Sequence, residues 1–298
     1  MSPDPIQGII PPLVTPFKED GSLDENLFRA DVRFLLDKAG VHGLAACTST
    51  GEGYTLSADE CRRVVRWTIE EAGGRVPVLA GVIADSTQAA IRRAEAVADL
   101  GVSALLVPPV HYLYHPDDES TIRYFAEISE ATRLPVVIDN VVPWHPLSPE
   151  LLARAVQDTP GLAGIKHTGN DLKALADLLW LLEEKRLYGR CRVLSAVNPL
   201  LYPSFLLGAH GAIAALATAA PEWCVALWRA IQAGQQAEAL ILHKKLLTMW
   251  SAIEGDNLPA NVKGAMWLQK RKAGWPRAPI PMSPPARRGK IRAALGLR

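Results

Sequence analysis

The stretch from Val136 to Lys166 reads as Val136-Val137-Ile138-Asp139, then a helix-like segment over 149–157, then Leu162-Ala163-Gly164-Ile165-Lys166. Two short apolar runs flank an amphipathic one, the pattern of a strand, a helix and a strand. Ser148-Pro149 opens the middle segment with a capping hydroxyl, followed by a proline where a first turn needs no N–H. Outward from this unit the alternation repeats. Further strands are expected at 8–10, 43–46, 76–81, 104–107, 193–195 and 211–214, and further helices at 24–38, 58–72, 87–100, 118–131 and 172–187. Ser57 and Glu60 have the spacing of a capping box, and Gly40, Gly73-Gly74 and Gly101 fall where helices should stop.

Eight strands with intervening helices point to a closed parallel (β/α)8 barrel, with an open doubly wound sheet as the competitor. No Gly-x-Gly-x-x-Gly follows the first strand, which weakens the dinucleotide-binding version of the open sheet. After Ala220-Pro221 the alternation stops. Helices are expected at 223–233, 236–253, 260–270 and 285–297, with a proline-rich stretch before the last. The expected division is a catalytic barrel over 1–222 and a C-terminal helical region over 223–298, serving packing or assembly.

A formal net charge of +1 argues against a general nucleic-acid binder, and no apolar run approaches the roughly 20 residues that span a membrane. Met1 to Gln7 lacks a basic start followed by an apolar stretch, so no secretory signal is expected. Cys47, Cys61, Cys191 and Cys224 have no metal or redox spacing and are expected to be reduced thiols in a cytoplasmic protein.

In a barrel the chemistry sits at the C-terminal strand ends, and Lys166 stands at one. Burial there favours the neutral amine, the form that attacks a carbonyl; the alternative is a lysine emerging into solvent. After the second strand, Cys47-Thr48-Ser49-Thr50-Gly51-Glu52-Gly53 can present hydroxyls and successive amides to a carboxylate, or simply cap a helix.

Thr15-Pro16-Phe17, Ser49-Thr50-Gly51-Glu52 and Gly164-Ile165-Lys166 stand in an order and spacing that resemble the dihydrodipicolinate synthase/N-acetylneuraminate lyase superfamily of Schiff-base-forming barrels. The similarity covers nearly the whole chain, including Gly211-Ala212-Ile213 and Asn257-Leu258-Pro259. It implies a class I lyase in which Lys166 forms an imine with pyruvate or another 2-oxo acid. Aldol cleavage or addition, or dehydration of a 2-oxo-3-deoxy acid, would follow. Ser49 and Thr50 would hold the substrate carboxylate, with Ile213 on the eighth strand, and neither metal nor organic cofactor is expected. The family is commonly tetrameric, so a homo-oligomer, dimer or tetramer, is expected with contacts near Tyr112 and Tyr114.

Three departures from the family pattern stand out. Asp139 occupies the position of the usual catalytic tyrosine. With neighbouring strands about 4.8 Å apart, it can either hold Lys166 as ammonium or pass protons during dehydration. Around Pro108-Pro109-Val110-His111-Tyr112-Leu113-Tyr114, His111, Tyr112 or Tyr114 stands in for an adjacent tyrosine pair, one of which reaches a neighbouring subunit's site. His111 and His115 are four apart, but the prolines argue for a loop and no third metal ligand is evident. After the fifth strand, Trp144 and His145 stand where dihydrodipicolinate synthases carry an arginine for an anionic aldehyde. They suit a sugar-like chain or an aromatic aldehyde better, although Trp144 equally fits an aromatic plug over the barrel. A dihydrodipicolinate synthase proper and a barrel that binds a 2-oxo acid without efficient turnover remain as alternatives.

Overall fold

A computed structural model describes residues 6–168 and 171–297; the 1–7 stretch read for a leader falls mostly outside them. Among the described residues the strands are β1 Gly8–Ile9, β2 Leu44–Ala46, β3 Val78–Gly81, β4 Ala104–Val107, β5 Val136–Asn140, β6 Leu162–His167, β7 Arg192–Ser195 and β8 Gly211–Ala212. Neighbours pair in parallel in the order β1-β8-β7-β6-β5-β4-β3-β2. The sheet closes on itself where Pro12 bridges Ala45 and the Leu13 N–H donates to the Ala45 carbonyl at 2.8 Å. This is the (β/α)8 barrel that the alternation predicts.

The helices are α1 Glu25–Phe34, α2 Ala58–Ala72, α3 Thr87–Ala98, α4 Asp118–Thr132, α5 Pro149–Asp158, α6 Leu172–Glu184, α7 Leu201–Leu206 and α8 Ala215–Ala219, followed by α9 Pro221–Gln232, α10 Gln236–Ile253, α11 Leu258–Leu268 and α12 Pro285–Ala294. The capping box at Ser57 and Glu60 forms in full, with reciprocal bonds of 3.2 and 3.0 Å. Strand edges differ from the sequence reading where prolines intervene. The Ile10 N–H still donates to Ala212 (2.9 Å), but Pro11 and Pro12 have no N–H with which to extend β1, and Pro77 likewise delays β3. Helices α7 and α8 were not expected, because six and five residues are too few to display a helical period. Helix α9 straddles the 222/223 line, packing on β1 on one side and on α10 on the other.

Ile10, Ala45, Leu79, Leu106, Val137, Leu194 and Ile213 fill the barrel's interior, while Ile138 and Ile165 belong to the layer between sheet and helices. Side chains alternate along a strand. Asp139, two residues beyond Val137, therefore faces inward, and so does Lys166, one beyond Ile165. That parity brings the two together.

Candidate active site

Asp139 and Lys166 are register partners on β5 and β6. Lys166 Nζ donates to Asp139 Oδ1 at 2.7 Å, and both side chains are buried. The pair caps the apolar barrel interior, and Asp139 lines a cavity of about 210 Å³ above it, together with Thr48, Ser49, Tyr54, Ile83, Leu106 and Trp144. A proton that must leave Nζ before the amine can attack thus has an acceptor in contact with it, and the same carboxylic acid can return it.

The turn after β2 is built by close approaches. A β-carbon on Gly51 would collide with the Leu13 carbonyl, and one on Gly53 with that of Cys47. Cys47 and Glu52 both take left-handed backbone (φ 57° each), a conformation that costs about 1–3 kcal/mol for a residue other than glycine. Opposing that cost, Thr15 Oγ1 donates to the Gly51 carbonyl (2.7 Å) and the Gly53 N–H to that of Thr48 (2.9 Å). The hydroxyls and N–H groups of Ser49 and Thr50 donate to no acceptor among the described residues. They are open to an anion.

Glu52 of this turn is fully buried and is held from the far end of the chain. Lys263 on α11 directs its ammonium to Glu52 Oε1 (2.6 Å) and to the carbonyls of Thr15 and Trp275 (2.7 Å each), while the Arg277 N–H donates to Glu52 Oε2 (2.8 Å). Burial, against the opposing pull of Glu52, pushes the Lys263 ammonium down to about 8. Sequence reading picked out Glu52 as part of a motif but gave it no partner.

The rim is stitched loop to loop. Asp85 Oδ1 accepts from the N–H groups of His111 and Tyr112 (3.1 Å each), and Trp144 Nε1–H donates to the His111 carbonyl (2.9 Å). Asn140 braces the loop after β5 through paired amide bonds with Leu147, of 3.1 and 2.9 Å. Of the sequence candidates, Ser49, Trp144 and His111 line the 210 Å³ cavity beside Asp139. Ile213 lies in the barrel interior, and Thr50 is half-buried beside Ser49. His145 lies outside the cavity, its ring edge-on to His115 at 4.0 Å, with burial as the first cause lowering its pKa. Tyr112 is 72% exposed and Tyr114 86%, and neither lines this chain's own cavity.

Tyr54 also lines the cavity, its phenol pushed up by burial and then by Glu52. Nothing in the sequence marked it, since it lies in a three-residue turn, Gly53–Thr55. A second cavity, of about 710 Å³, lies across the Val141–Val142–Pro143 segment and is lined by His167, Thr168, Asp171, Asn198 and Trp250. His167 Nδ1 and Thr168 Oγ1 are buried without a partner among the described residues, and burial lowers the His167 pKa. Among the described residues no three His, Cys, Asp or Glu side chains converge on a metal-sized site, and no helix is long and apolar enough to cross a membrane.

The sequence matches the Dihydrodipicolinate synthetase family over residues 5–295. The chain belongs to this family. It is 33% identical over 278 residues to a 4-hydroxy-tetrahydrodipicolinate synthase of Methanopyrus kandleri, a match covering 92% of this chain and 90% of that one. Its fold superposes on a prophage protein of the dihydrodipicolinic acid synthase family from E. coli K12, solved in complex with pyruvate. The TM-score is 0.92 at 28% identity, over 98% of each chain. A monomeric dihydrodipicolinate synthase variant is similar too, with TM-score 0.91 at 27% identity over 98% of this chain and 96% of that one. As a member of this family the protein is a lyase of the Schiff-base-forming, class I kind.

Proposed function

We propose that this lyase forms an imine between Lys166 and pyruvate or a related 2-oxo acid, with Asp139 as its proton carrier. The observation that carries the reading is the 2.7 Å bond between Lys166 Nζ and Asp139 Oδ1 beneath a cavity lined by Ser49, whose hydroxyl and N–H have no acceptor among the described residues, with Thr50 next to it in the chain. Asp139 takes a proton from the ammonium, and the freed amine adds to the keto carbon. The carboxylic acid then protonates the departing hydroxyl, so water leaves and a protonated imine remains. As the C4 hydroxyl gives its proton to the Asp139 carboxylate, that cation accepts the electron pair of the breaking C3–C4 bond, giving an enamine and an aldehyde; addition reverses the step. The same electron sink permits loss of a C3 proton followed by a C4 hydroxyl, which is dehydration. Ser49 and Thr50 orient the substrate by its carboxylate.

Ile83, Leu106, Pro108, Val141, Val142 and Pro143 give the 210 Å³ cavity an apolar wall, closed by Trp144, and no Lys or Arg lines it or its 710 Å³ neighbour among the described residues. An aldehyde bearing its own carboxylate would lie there without a counter-ion, so an apolar or aromatic aldehyde fits better. This lining favours a second substrate other than the anionic aldehyde of a dihydrodipicolinate synthase proper. The unpartnered His167 Nδ1 and Thr168 Oγ1 favour a second reading, in which a hydroxylated 2-oxo-3-deoxy acid extends into the larger cavity. The barrel over 1–222 and helical region over 223–298 form the proposed division, and the setting is cytoplasmic. The exposed Tyr112, Leu113 and Tyr114 are the proposed contact with a second copy in a homodimer or tetramer.

The test is turnover with purified protein, following pyruvate by a coupled lactate dehydrogenase assay. Aldol products of pyruvate with aromatic aldehydes would support the first reading, and turnover of 2-oxo-3-deoxy sugar acids the second. Turnover restricted to aspartate semialdehyde would overturn both, and silence across the panel would favour a binding barrel with impaired turnover.

A further inference from the structure

From Asn257 to Arg298 the chain has ten Lys and Arg and no Asp or Glu, although the whole chain is balanced at 32 against 31. The other 256 residues therefore hold 22 cations against all 31 carboxylates. Three of the ten are taken up inside the fold: Lys263 by Glu52, Arg271 by Asp31 and Arg277 by Glu60. Among the described residues, Lys270, Lys272, Arg288, Lys290 and Arg292 pair with no carboxylate, and all five are exposed.

Helix α12 runs against local electrostatic preference. Arg287 and Arg288 lie in its first turn, where free amide ends favour anions. Arg288 and Arg292, one turn apart on the same face, repel each other. Gly289 sits between them in the helix interior, where glycine is a poor choice, yet an added β-carbon would meet nothing within 4 Å. Packing does not require this glycine. Arg288, Gly289 and Arg292 all line one groove of about 570 Å³ with Trp267 and Trp275, which are 43% and 45% exposed. Both indoles are set in place. The Trp275 backbone exchanges bonds with Phe17 (2.8 and 3.3 Å), and Trp267 Nε1–H donates to the Gly274 carbonyl at 3.4 Å. The groove shares no lining residue with either cavity at the barrel mouth.

We propose that this groove between α11, α12 and the Trp275 segment binds a small aromatic anion, its ring against the tryptophans and its phosphate or carboxylate between Arg288 and Arg292. Charge complementarity argues for this occupant: the arginine forks suit a planar or tetrahedral oxyanion, and the anion offsets both the repulsion within α12 and the misplaced charge of its first turn. Exposed indoles accept a ring face, and the missing side chain at Gly289 leaves room for it.

Calorimetric titration of the full chain tests this, with AMP as the phosphate probe and 1-naphthoate as the carboxylate probe. Adenosine and ribose 5-phosphate are the controls lacking charge and ring respectively. At least one aromatic anion should bind saturably with Kd below about 1 mM, each control about tenfold more weakly or worse. Arg288→Gln with Arg292→Gln should weaken that binding about tenfold or more. Gly289→Ala should raise the melting temperature yet lower affinity, a split that a purely structural glycine would not give. Melting curves establish that each variant is folded. Absence of saturable heat, unchanged affinity in the double arginine variant, or ribose 5-phosphate binding as tightly as AMP would each overturn the proposal. Self-association abolished by the same arginine changes, without small-anion heat, would overturn it too and make the groove a contact between copies.

Discussion

Asp139 and Lys166 share one hydrogen bond, and a carboxylate in that position can either pin the lysine as ammonium or relieve it of its proton. The buried setting, with the bond opening onto a cavity edged by free donors, favours the relay. Asp139→Asn keeps the shape and the hydrogen bond but cannot carry the proton. It is expected to lower kcat by about 10²–10⁴ with the melting temperature little changed, as read by steady-state kinetics and a thermal scan. Unchanged or raised kcat would contradict the relay. Asp139→Tyr, which restores the family's usual residue, sharpens the point, since activation above the parent would mark the aspartate as a handicap. Much of this pair was legible in the sequence: strand period fixes which way each side chain points, and both lie at strand ends. What the sequence left open was whether the two touch, which depends on the β5–β6 register and its irregularity at Val136/Val137.

At the scale of elements, the turn after β2 depends on α11, 211 residues away, through the buried bond between Glu52 and Lys263. No local pattern foretells a partner at that separation, so the sequence offers Ser49 and Thr50 as candidates without revealing the Lys263 brace beneath their turn. Removing one partner of a buried ion pair costs about 3–5 kcal/mol. Lys263→Met is therefore expected to lower stability by that order and to raise KM for the 2-oxo acid, as the Ser49–Thr50 donors lose their alignment. Adding Glu52→Gln removes the stranded charge and should recover stability without recovering KM. Recovery of both would reduce the pair to scaffolding. The opposite end of the barrel makes a separate prediction. The N–H groups of Ile9 and Val193 donate to His42 Nδ1 (3.2 Å) and His210 Nδ1 (3.1 Å), which requires neutral imidazoles. Burial, then the neighbouring Arg192, push His210 down to about 4, and burial, then Arg229, lower His42. Unfolded histidine titrates near 6.5, so between that pH and about 4 the unfolded chain binds more protons. The stabilisation from His210 is thus complete above pH 6.5 and lost as pH falls toward 4, and that from His42 is lost in the same direction. Melting temperatures over this range should fall, less steeply in His210→Gln. An unchanged slope would contradict the assignment.

For the whole molecule, eight expected strands with six helices between them pointed to the closed barrel, while the proposed contact between copies rests only on what a single chain leaves uncovered. Tyr112, Leu113 and Tyr114 together expose aromatic and aliphatic surface on one rim loop. Light scattering after size exclusion is expected to give a multiple of the 32.3 kDa chain mass, and Tyr112→Asp with Tyr114→Asp to lower it. A parent that is already monomeric would contradict this contact. Every reading of the barrel mouth rests on covalent capture of a keto carbon by Lys166. Intact-mass spectrometry after borohydride treatment with saturating pyruvate tests it most directly. The account predicts one reduced pyruvyl adduct per chain, mapped to Lys166 and absent from Lys166→Ala. An unmodified mass under saturating conditions, or an adduct on another lysine, would contradict it.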